Sequence, residues 1–538
     1  MQTIDLHYPD TDTFSADPVP RVPGARALYF ALLDADGDGP ASGTAHSRET
    51  GDTFDTPSIA FLEQGLRASR QLPCDLPERL SGLEAWMAQH TDGVLADYQH
   101  YLAQRKAGAP RQYFATRSHA LHFLTAVAPT KTVDGSWLYG LLSHWQDDRF
   151  ATLIRIYLDE LGGGVPEQNH VLLYKRLLLA NGCERWEHLD DHHFMQGALQ
   201  LALAHNAERF LPELIGFNLG YEQLPLHLLI TAYELNELGI DPTYFGLHVT
   251  VDNADTGHAR QALQGLRDSL PVLGDRQAFY RRVVDGYRLN DLGAGTNSVI
   301  AGFNLEAELI EVLTRKSAAG KQAHADYCRI GGRTVNDWLS EPANLPGFVE
   351  ALQRSGWIKR GEPAQNSRFW KLIDGERADM FGIFSAYEQQ VLRDWIESGA
   401  PALASATSTA AAAVPPAPAR TLSFKARQKL LENLERKRPA GGLAASDGGQ
   451  AVAAQGERRA MPRHVDSAGQ RNAATDDSGD AGDDFNAELR ELTVRLAHAT
   501  SKSQAMQFLA SLMAPSRHHT HVGLHATRIF ARMFGASR

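Results

Sequence analysis

Residues 157–180 read YLDELGGGVPEQNHVLLYKRLLLA and predict two helices joined by a short loop. The first helix ends at three consecutive glycines, and the second begins near His170 and is rich in leucine. A glutamate in the last turn of one helix, Glu160, and a histidine at the start of the next could therefore converge on one point. The ordinary alternative leaves Glu160 on the surface and makes His170 a neighbour of the helix cap.

Segments with a helical sequence pattern continue on both sides of this stretch. Segments 197–205, 226–238 and 305–313 are rich in leucine and alanine, with few β-branched alternations. We therefore expect an all-α protein with a helical bundle over 96–328. An irregular N-terminal extension followed by helical segments is expected over 1–95. An aromatic-rich and mainly helical unit over 329–400 is expected to complete the core or to pack beside it.

A change of composition follows this unit. Residues 401–484 are rich in alanine, proline, glycine, serine and aspartate, which predicts a disordered, low-complexity linker with one short basic helix over 423–438. Over 485–538 we predict an amphipathic helix and a tail, and this helix is a candidate contact for a homodimer or a partner protein. Four histidines are expected to lie in a solvated tail: His518, His519, His521 and His525.

The bulk composition restricts the function classes. The formal net charge of -11 gives no chain-wide attraction for nucleic acid. No apolar run reaches the roughly 18 residues that span a bilayer, and the N-terminus lacks the pattern of a signal peptide. Three separated cysteines fit a reducing compartment. We expect a cytoplasmic protein that acts on a small molecule and binds neither nucleic acid nor membrane.

The segment 244–259, YFGLHVTVDNADTGHA, carries the densest group of metal-ligand residues. In one continuous helix, His248, Asp252 and Asp255 would lie within about 60° of one another, and His258 would extend the stripe by about 60°. Imidazoles and carboxylates cannot face an apolar core unpaired, and together they suit iron or manganese. The alternative is a solvent-facing helix with a mixed polar face.

A second segment, PELIGFNLGYEQ over 212–223, carries two glutamates. Glu213 and Glu222 are nine residues apart and hence lie on opposite faces of a helix. At most one of them can point inward, and a surface position is the alternative for either.

Three motifs in this order resemble the haem-oxygenase-like di-iron oxidases and oxygenases, a family of iron-containing redox enzymes. They are DELGGGVPEQNH (159–170), FLPELIGFNLGYE (210–222) and FGLHVTVDNADTGH (245–258). The resemblance covers roughly residues 110–397. It implies a haem-oxygenase-like helical bundle, a non-haem centre of two ferrous ions and O2 as co-substrate. It also implies a small organic substrate that is amino-acid-like or fatty-acid-like.

The resemblance assigns ligands by position. Glu160 matches the bridging glutamate, His170 the histidine after it, and His258 the final histidine. Glu222 fits the mid-chain glutamate better than Glu213. The remaining places on the last helix are shared among three residues: His248, Asp252 and Asp255.

One departure from the family concerns the second iron. The family has a further carboxylate on an early helix, whereas residues 99–133 contain no Asp or Glu. His119, His122 or Asp134 could substitute, or one metal position is weak or absent.

Two other functions remain open from the sequence. One is a mononuclear iron or manganese site that uses His170, His258 and one carboxylate. The other is a non-catalytic helical protein that binds haem or serves as a scaffold.

Overall fold

The computed structural model describes residues 23–37, 52–251, 257–399 and 479–536. Its α-helices are α1 (Ala25–Gly37), α2 (Asp52–Ser69), α3 (Leu83–Lys106), α4 (Arg117–Ala126), α5 (Ala128–Lys131), α6 (Ala151–Glu160), α7 (His170–Asn181), α8 (Met195–His205), α9 (Leu211–Tyr221), α10 (Leu226–Glu237), α11 (Thr243–Val251), α12 (His258–Ser269), α13 (Arg276–Arg288), α14 (Thr296–Gly302), α15 (Leu305–Gly320), α16 (Val335–Leu339), α17 (Leu345–Arg354), α18 (Trp370–Ile373), α19 (Ala386–Glu397), α20 (Gly479–His498), α21 (Lys502–Leu512) and α22 (His521–Gly535).

Short 3-10 helices and one small hairpin complete the secondary structure of the described residues. Strands β1 (Arg329–Ile330) and β2 (Arg333–Thr334) pair antiparallel. The 3-10 helices are Leu80–Gly82, Ser136–His144, Asp148–Phe150, Gly162–Gly164, Asp191–Phe194, Leu289–Asp291, Pro342–Asn344 and Ala364–Asn366. The predicted all-α class is confirmed. None of the described helices combines the length and the apolar character needed to cross a bilayer.

The stretch that joins α6 to α7 folds as its residues predict. All three glycines of Gly162–Gly164 have positive φ, a region that favours glycine, and they turn the chain sharply after α6. Asn169 then caps α7, because its side-chain oxygen accepts a hydrogen bond from the amide of Leu172 at 2.9 Å. The cap fixes His170 as the first residue of α7.

The described residues up to Gly399 and from Phe485 onwards form one compact unit. This unit buries two hydrophobic clusters. A first cluster takes side chains from α1, α2, α6, α8, α9, α12, α13 and α20 to α22. A second cluster takes side chains from α4, α7, α10, α11, α14, α15 and α17 to α19. Helices α6 and α7, joined by the glycine turn, therefore belong to different clusters.

The aromatic-rich region over 329–400 contributes to the second cluster. Trp338, Phe348, Trp370 and Trp395 are buried there together with side chains of α4 and α15. Of the two arrangements that the sequence allowed, this region completes the core.

Helices α1, α2 and most of α3 lie within residues 1–95, where an irregular extension followed by helical segments was expected. Three helices occupy 479–535, where one helix and a tail were expected. The solvated tail predicted around His518 is wrong for that residue, because its side chain is buried. The local sequence RHHTH (517–521) is polar and predicts exposure. His518 is buried because it packs against a distant part of the chain, at Asn169. Of the linker predicted over 401–484, residues 401–478, which include the basic helix over 423–438, lie outside the described residues. Residues 479–484 belong to α20, so the prediction of a disordered linker is wrong for them.

Candidate metal centre

Six buried side chains come together where helices of the two hydrophobic clusters meet. Their ligand atoms form two groups, each with all atoms within 4.8 Å of one another, and both groups contain Glu160. The first group is Asp134, Glu160, His170 and His248, and the second is Glu160, Glu222 and His258. Among the described residues, one carboxylate is thus shared by two potential metal positions.

Glu160 is the last residue of α6 and presents one oxygen to each group. Its Oε2 lies 2.6 Å from Nδ1 of His170, and its Oε1 lies 3.3 Å from Nδ1 of His258. Gly135 packs against its side chain, because a Cβ at that position would lie 2.9 Å from both Cβ and Cγ of Glu160. Gly135 also has a φ of 80°, so the turn and the close approach both require glycine.

Asp134 lies in the turn between α5 and the 3-10 helix Ser136–His144. Its Oδ2 is 3.2 Å from Nε2 of His248 and accepts a hydrogen bond from the Tyr244 hydroxyl at 2.5 Å. Nδ1 of His248 lies 3.0 Å from the carbonyl oxygen of Tyr244, which can only accept. The proton of a neutral His248 is therefore on Nδ1, and Nε2 is left with a lone pair that can bind a metal.

Glu222 and His258 are brought together by the packing of α12 against α6 and α9. Glu222 follows α9 directly, and His258 is the first residue of α12. Nδ1 of His258 lies 3.1 Å from Oε2 of Glu222. On the other edge of the ring, Nε2 lies 3.6 Å from Oδ2 of Asp159, whose side chain is 58% exposed. His258 therefore lies between the buried cluster and the protein surface.

The electrostatics of the cluster favour ionised carboxylates. Burial raises the pKa of Glu160, but His170 and His258 outweigh this effect and hold the pKa well below its usual value. Burial likewise raises the pKa of Asp134, whereas Lys131 and His248 lower it, and the net pKa is below normal. Nζ of Lys131 lies 3.6 Å from Oδ1 of Asp134. Burial, followed by the charge of Asp134, raises the pKa of Tyr244, so its hydroxyl remains a donor.

These residues fit an iron centre. Neighbouring ligand atoms on one octahedral ion lie roughly 3 Å apart when metal–ligand bonds are near 2.1 Å, which agrees with the separations of 2.6 to 3.3 Å in the cluster. Nδ1 of His170 is buried and makes no hydrogen bond within the described structure, although Glu160 is close. Buried carboxylates need compensating positive charge, and mixed imidazole and carboxylate ligands suit iron.

The structure corrects the stripe predicted over 244–259. Helix α11 ends at Val251, and Gly257 is extended, with φ −83° and ψ −166°, just before α12 begins at His258. His248 and His258 therefore reach the cluster from two helices, in different groups. Asp252 and Asp255 lie outside the described residues, so their predicted roles as ligands stay predictions.

The structure distinguishes among the other predicted alternatives. Glu222 lies in the cluster, whereas Glu213 forms a two-bond ion pair with Arg282 at 2.6 and 2.7 Å. His119 stacks on Phe303 with its Nε2 2.9 Å from the carbonyl oxygen of Ile300. His122 faces Glu308 at 3.4 Å. Of the three substitutes proposed for the early carboxylate, the structure therefore places Asp134 in the cluster.

Three residues that support the cluster were not identified from the sequence: Lys131, Gly135 and Tyr244. Tyr244 precedes His248 by four residues, so helical spacing alone could have placed it beside that ring. Lys131 ends the four-residue helix α5, three residues before Asp134, and Gly135 directly follows Asp134 in a turn. Neither stretch is long enough to show a periodic pattern.

Comparison with known proteins supports the same centre. The family model described as iron-containing redox enzyme matches residues 121–289, a range that includes all six clustered residues. No curated protein and no solved structure gives a significant match to the chain. This match over residues 121–289 supports the similarity to the haem-oxygenase-like iron-containing redox enzymes.

Proposed function

We propose that the protein is a non-haem, O2-dependent oxidase or oxygenase with a dinuclear iron centre and a small organic substrate. The observation that carries this proposal is the Glu160 carboxylate, which presents Oε2 to one group of ligand residues and Oε1 to the other. A carboxylate shared in this way suits two ions held side by side. Ferrous ions bound there would supply the electrons that reduce O2.

The surrounding residues would prepare the site for that chemistry. The carbonyl of Tyr244 sets the tautomer of His248, and the hydroxyl of Tyr244 orients Asp134. Tyr174 and Tyr157 are fully buried near the two ends of the α6–α7 connection, so the ligand residues are held in well-packed surroundings. The chain's contribution is thus to position the ligands and to limit access of water.

A groove of about 720 Å³ runs along the surface beside His258. Asp159, which faces Nε2 of His258 at 3.6 Å, is part of its lining. Arg155 and Arg260 also line it. Arg260 lies 3.6 Å from Glu84, so Arg155 is the cation of this groove that suits a substrate with a carboxylate, in keeping with the amino-acid-like or fatty-acid-like substrate expected from the resemblance.

Iron titration of paired variants tests the proposal. Under anaerobic conditions we expect wild type to bind two ferrous ions and then to consume O2 on exposure to air. Glu222→Gln should bind one iron and consume O2 at least tenfold more slowly than wild type. Changes to metal ligands or to their hydrogen-bond partners commonly lower metal affinity or activity 10–100-fold. Glu213→Gln is the matched control, because this buried carboxylate is paired with Arg282 outside the cluster. It should bind and react like wild type.

A mononuclear enzyme is the second candidate, and one observation favours it. The first group has four residues within the described structure, whereas the second has three. That site would use Asp134, His170 and His248 in place of the combination of His170 and His258 that the sequence suggested. One iron per wild-type chain, unchanged in Glu222→Gln, would establish it. A wild-type protein that binds no iron after anaerobic loading would refute both candidates.

A further inference from the structure

The C-terminal hairpin, defined as α21, α22 and the connection 513–520, packs against the loop that joins two proposed ligands. This loop, residues 161–169, runs from Glu160 to His170. The hairpin lies outside the residues matched by the family model and follows the whole of the matched region by more than 200 positions. Its buried side chains, including Met506 and Phe530, belong to the first hydrophobic cluster.

Hydrogen bonds between side chains and backbone hold the end of α6 and the first half of the loop to the hairpin. The hydroxyl of Tyr157, on the last turn of α6, donates to the carbonyl oxygen of Met513 at 2.7 Å. Arg528 donates from Nη2 to the carbonyl oxygen of Gly164 at 2.9 Å. Gly164 itself has a φ of 83°, and a Cβ there would overlap the carbonyl oxygen of Leu524. The loop and α22 are therefore in direct backbone contact.

One buried side chain reaches the residue before His170. Nδ1 of His518 lies 3.2 Å from Nδ2 of Asn169. The other side-chain atom of Asn169, Oδ1, accepts from the amide of Leu172, so Nδ2 is the donor. Nδ2 also lies 3.3 Å from the carbonyl oxygen of Leu161. The amide of Asn169 thus connects His518 to both ends of the loop.

This arrangement fixes the tautomer of His518 and leaves one of its ring nitrogens without a hydrogen bond among the described residues. Because Nδ1 accepts from Asn169, the ring proton is on Nε2, and that buried nitrogen has no hydrogen-bond partner among the described residues. Burial, with neighbouring His519 and Lys175, keeps the pKa of His518 well below its usual value, in agreement with a neutral ring. An unpaired buried donor lowers the stability of the fold, so overall stability does not explain this histidine.

We propose that the C-terminal hairpin positions the metal centre, and that His518 is a positioning residue that acts through Asn169 on Glu160 and His170. This inference rests on the proposed metal-binding function. The hydrogen bond to Asn169 holds the cap of α7 and the loop in one arrangement, and this sets the separation of the two ligands. Loss of this hydrogen bond would leave all the proposed ligands present, but the separation of Glu160 and His170 would be less tightly fixed.

Two substitutions that differ in one acceptor atom test the role of His518. Asn has an oxygen at the δ position that can replace Nδ1, whereas Leu has a methyl group of similar size there. In the full chain, we expect His518→Leu to raise the dissociation constant for Mn²⁺ or anaerobic Fe²⁺ 10–100-fold and to alter the Mn²⁺ electron paramagnetic resonance spectrum. His518→Asn should restore both towards wild type. His525→Ala, an exposed position on α22, is the control and should change neither.

Thermal unfolding separates positioning from simple destabilisation. His518→Leu removes an unpaired donor, so we expect its apo form to be no less stable than that of His518→Asn. Equal metal affinity and equal spectra for the Leu and Asn variants would overturn the inference while the proposed function stands. A wild-type protein that binds no metal would overturn both. If His518→Leu does not fold, Arg528→Met removes the bond to Gly164, and unchanged metal affinity in that variant would overturn the inference.

Discussion

The carboxylate of Asp134 is held by three kinds of contact. It lies beside the ammonium group of Lys131 and the imidazole of His248, and it accepts a hydrogen bond from the hydroxyl of Tyr244. Both Asp134 and Tyr244 are buried, so each contact acts in surroundings of low polarity. The orientation of this carboxylate is therefore set before any metal arrives.

Tyr244→Phe tests this preorganisation. The change removes the donor to Oδ2 of Asp134 and keeps the ring that packs beside His248, whose centroid is 4.7 Å away. We expect the affinity for ferrous iron to fall 10–100-fold, as measured by anaerobic titration. Tyr174→Phe is the matched control, because its buried hydroxyl donates to the carbonyl of Leu124 instead. It should lose about 1 kcal/mol of folding stability and retain iron affinity. Equal affinities for the two variants would contradict the assigned role.

Four of the six clustered residues lie at the ends of helices. Glu160 ends α6, His170 begins α7, Glu222 follows α9 and His258 begins α12. Helix ends are fixed by caps, glycines and packing, so the centre depends on how helices meet as well as on their own sequences. This differs from the sequence-based expectation of ligands on one continuous helical stripe.

The helices and the ligands differ in how well the sequence predicts them. Leucine and alanine periodicity is local and strong, so α7, α8, α10 and α15 could be predicted from it. The glycine turn also identified Glu160 and His170 as a pair. The extended conformation of Gly257 before α12 could not be predicted from spacing, because a polar segment that ends in glycine is compatible with both one helix and two. Asp134 lies in a turn, where no periodicity marks a buried face.

Helices α9 and α13 cross with their backbones in close contact. A Cβ on Gly286 would overlap the backbone of Glu213, so glycine allows these helices to touch. We expect Gly286→Ala to destabilise the fold by about 1–3 kcal/mol or more, measured by urea denaturation, because the backbones must separate. The control is Gly93→Ala in the exposed interior of α3, where no atom lies within 4 Å. It should stabilise the protein by about 0.5–1 kcal/mol. A neutral Gly286→Ala would mean that α9 and α13 are not in contact.

Long-range docking explains why the C-terminal hairpin could not be placed from the sequence. His518 and Asn169 are 349 positions apart, and their contact leaves no trace in the local pattern of either segment. The sequence did indicate the amphipathic face of α20, on which Leu489, Leu492 and Leu496 pack against the first hydrophobic cluster. A helix face can be predicted from spacing, whereas its partner surface depends on the whole fold.

The candidate metal centre joins helices from both hydrophobic clusters, so a bound ion should affect the stability of the whole compact unit. Glu160 and His258 come from helices of the first cluster, and His170 and His248 come from helices of the second. An ion that binds only the folded chain adds about 2.7 kcal/mol of stability at a hundred times its dissociation constant. For a folded unit of this size, that corresponds to a rise in Tm of about 3 °C.

We therefore expect anaerobic Fe²⁺ to raise the Tm of wild type by about 3 °C, and chelation to reverse the rise. Glu160→Gln should abolish it, because the shared carboxylate serves both groups of ligands. Glu213→Gln removes an equally buried carboxylate elsewhere and should lower the Tm while keeping the response to iron. Differential scanning calorimetry of the three proteins, with and without iron, measures both effects. If Glu160→Gln responded as strongly as wild type, iron would be stabilising the protein from another site, and the bridging position of Glu160 would have to be abandoned.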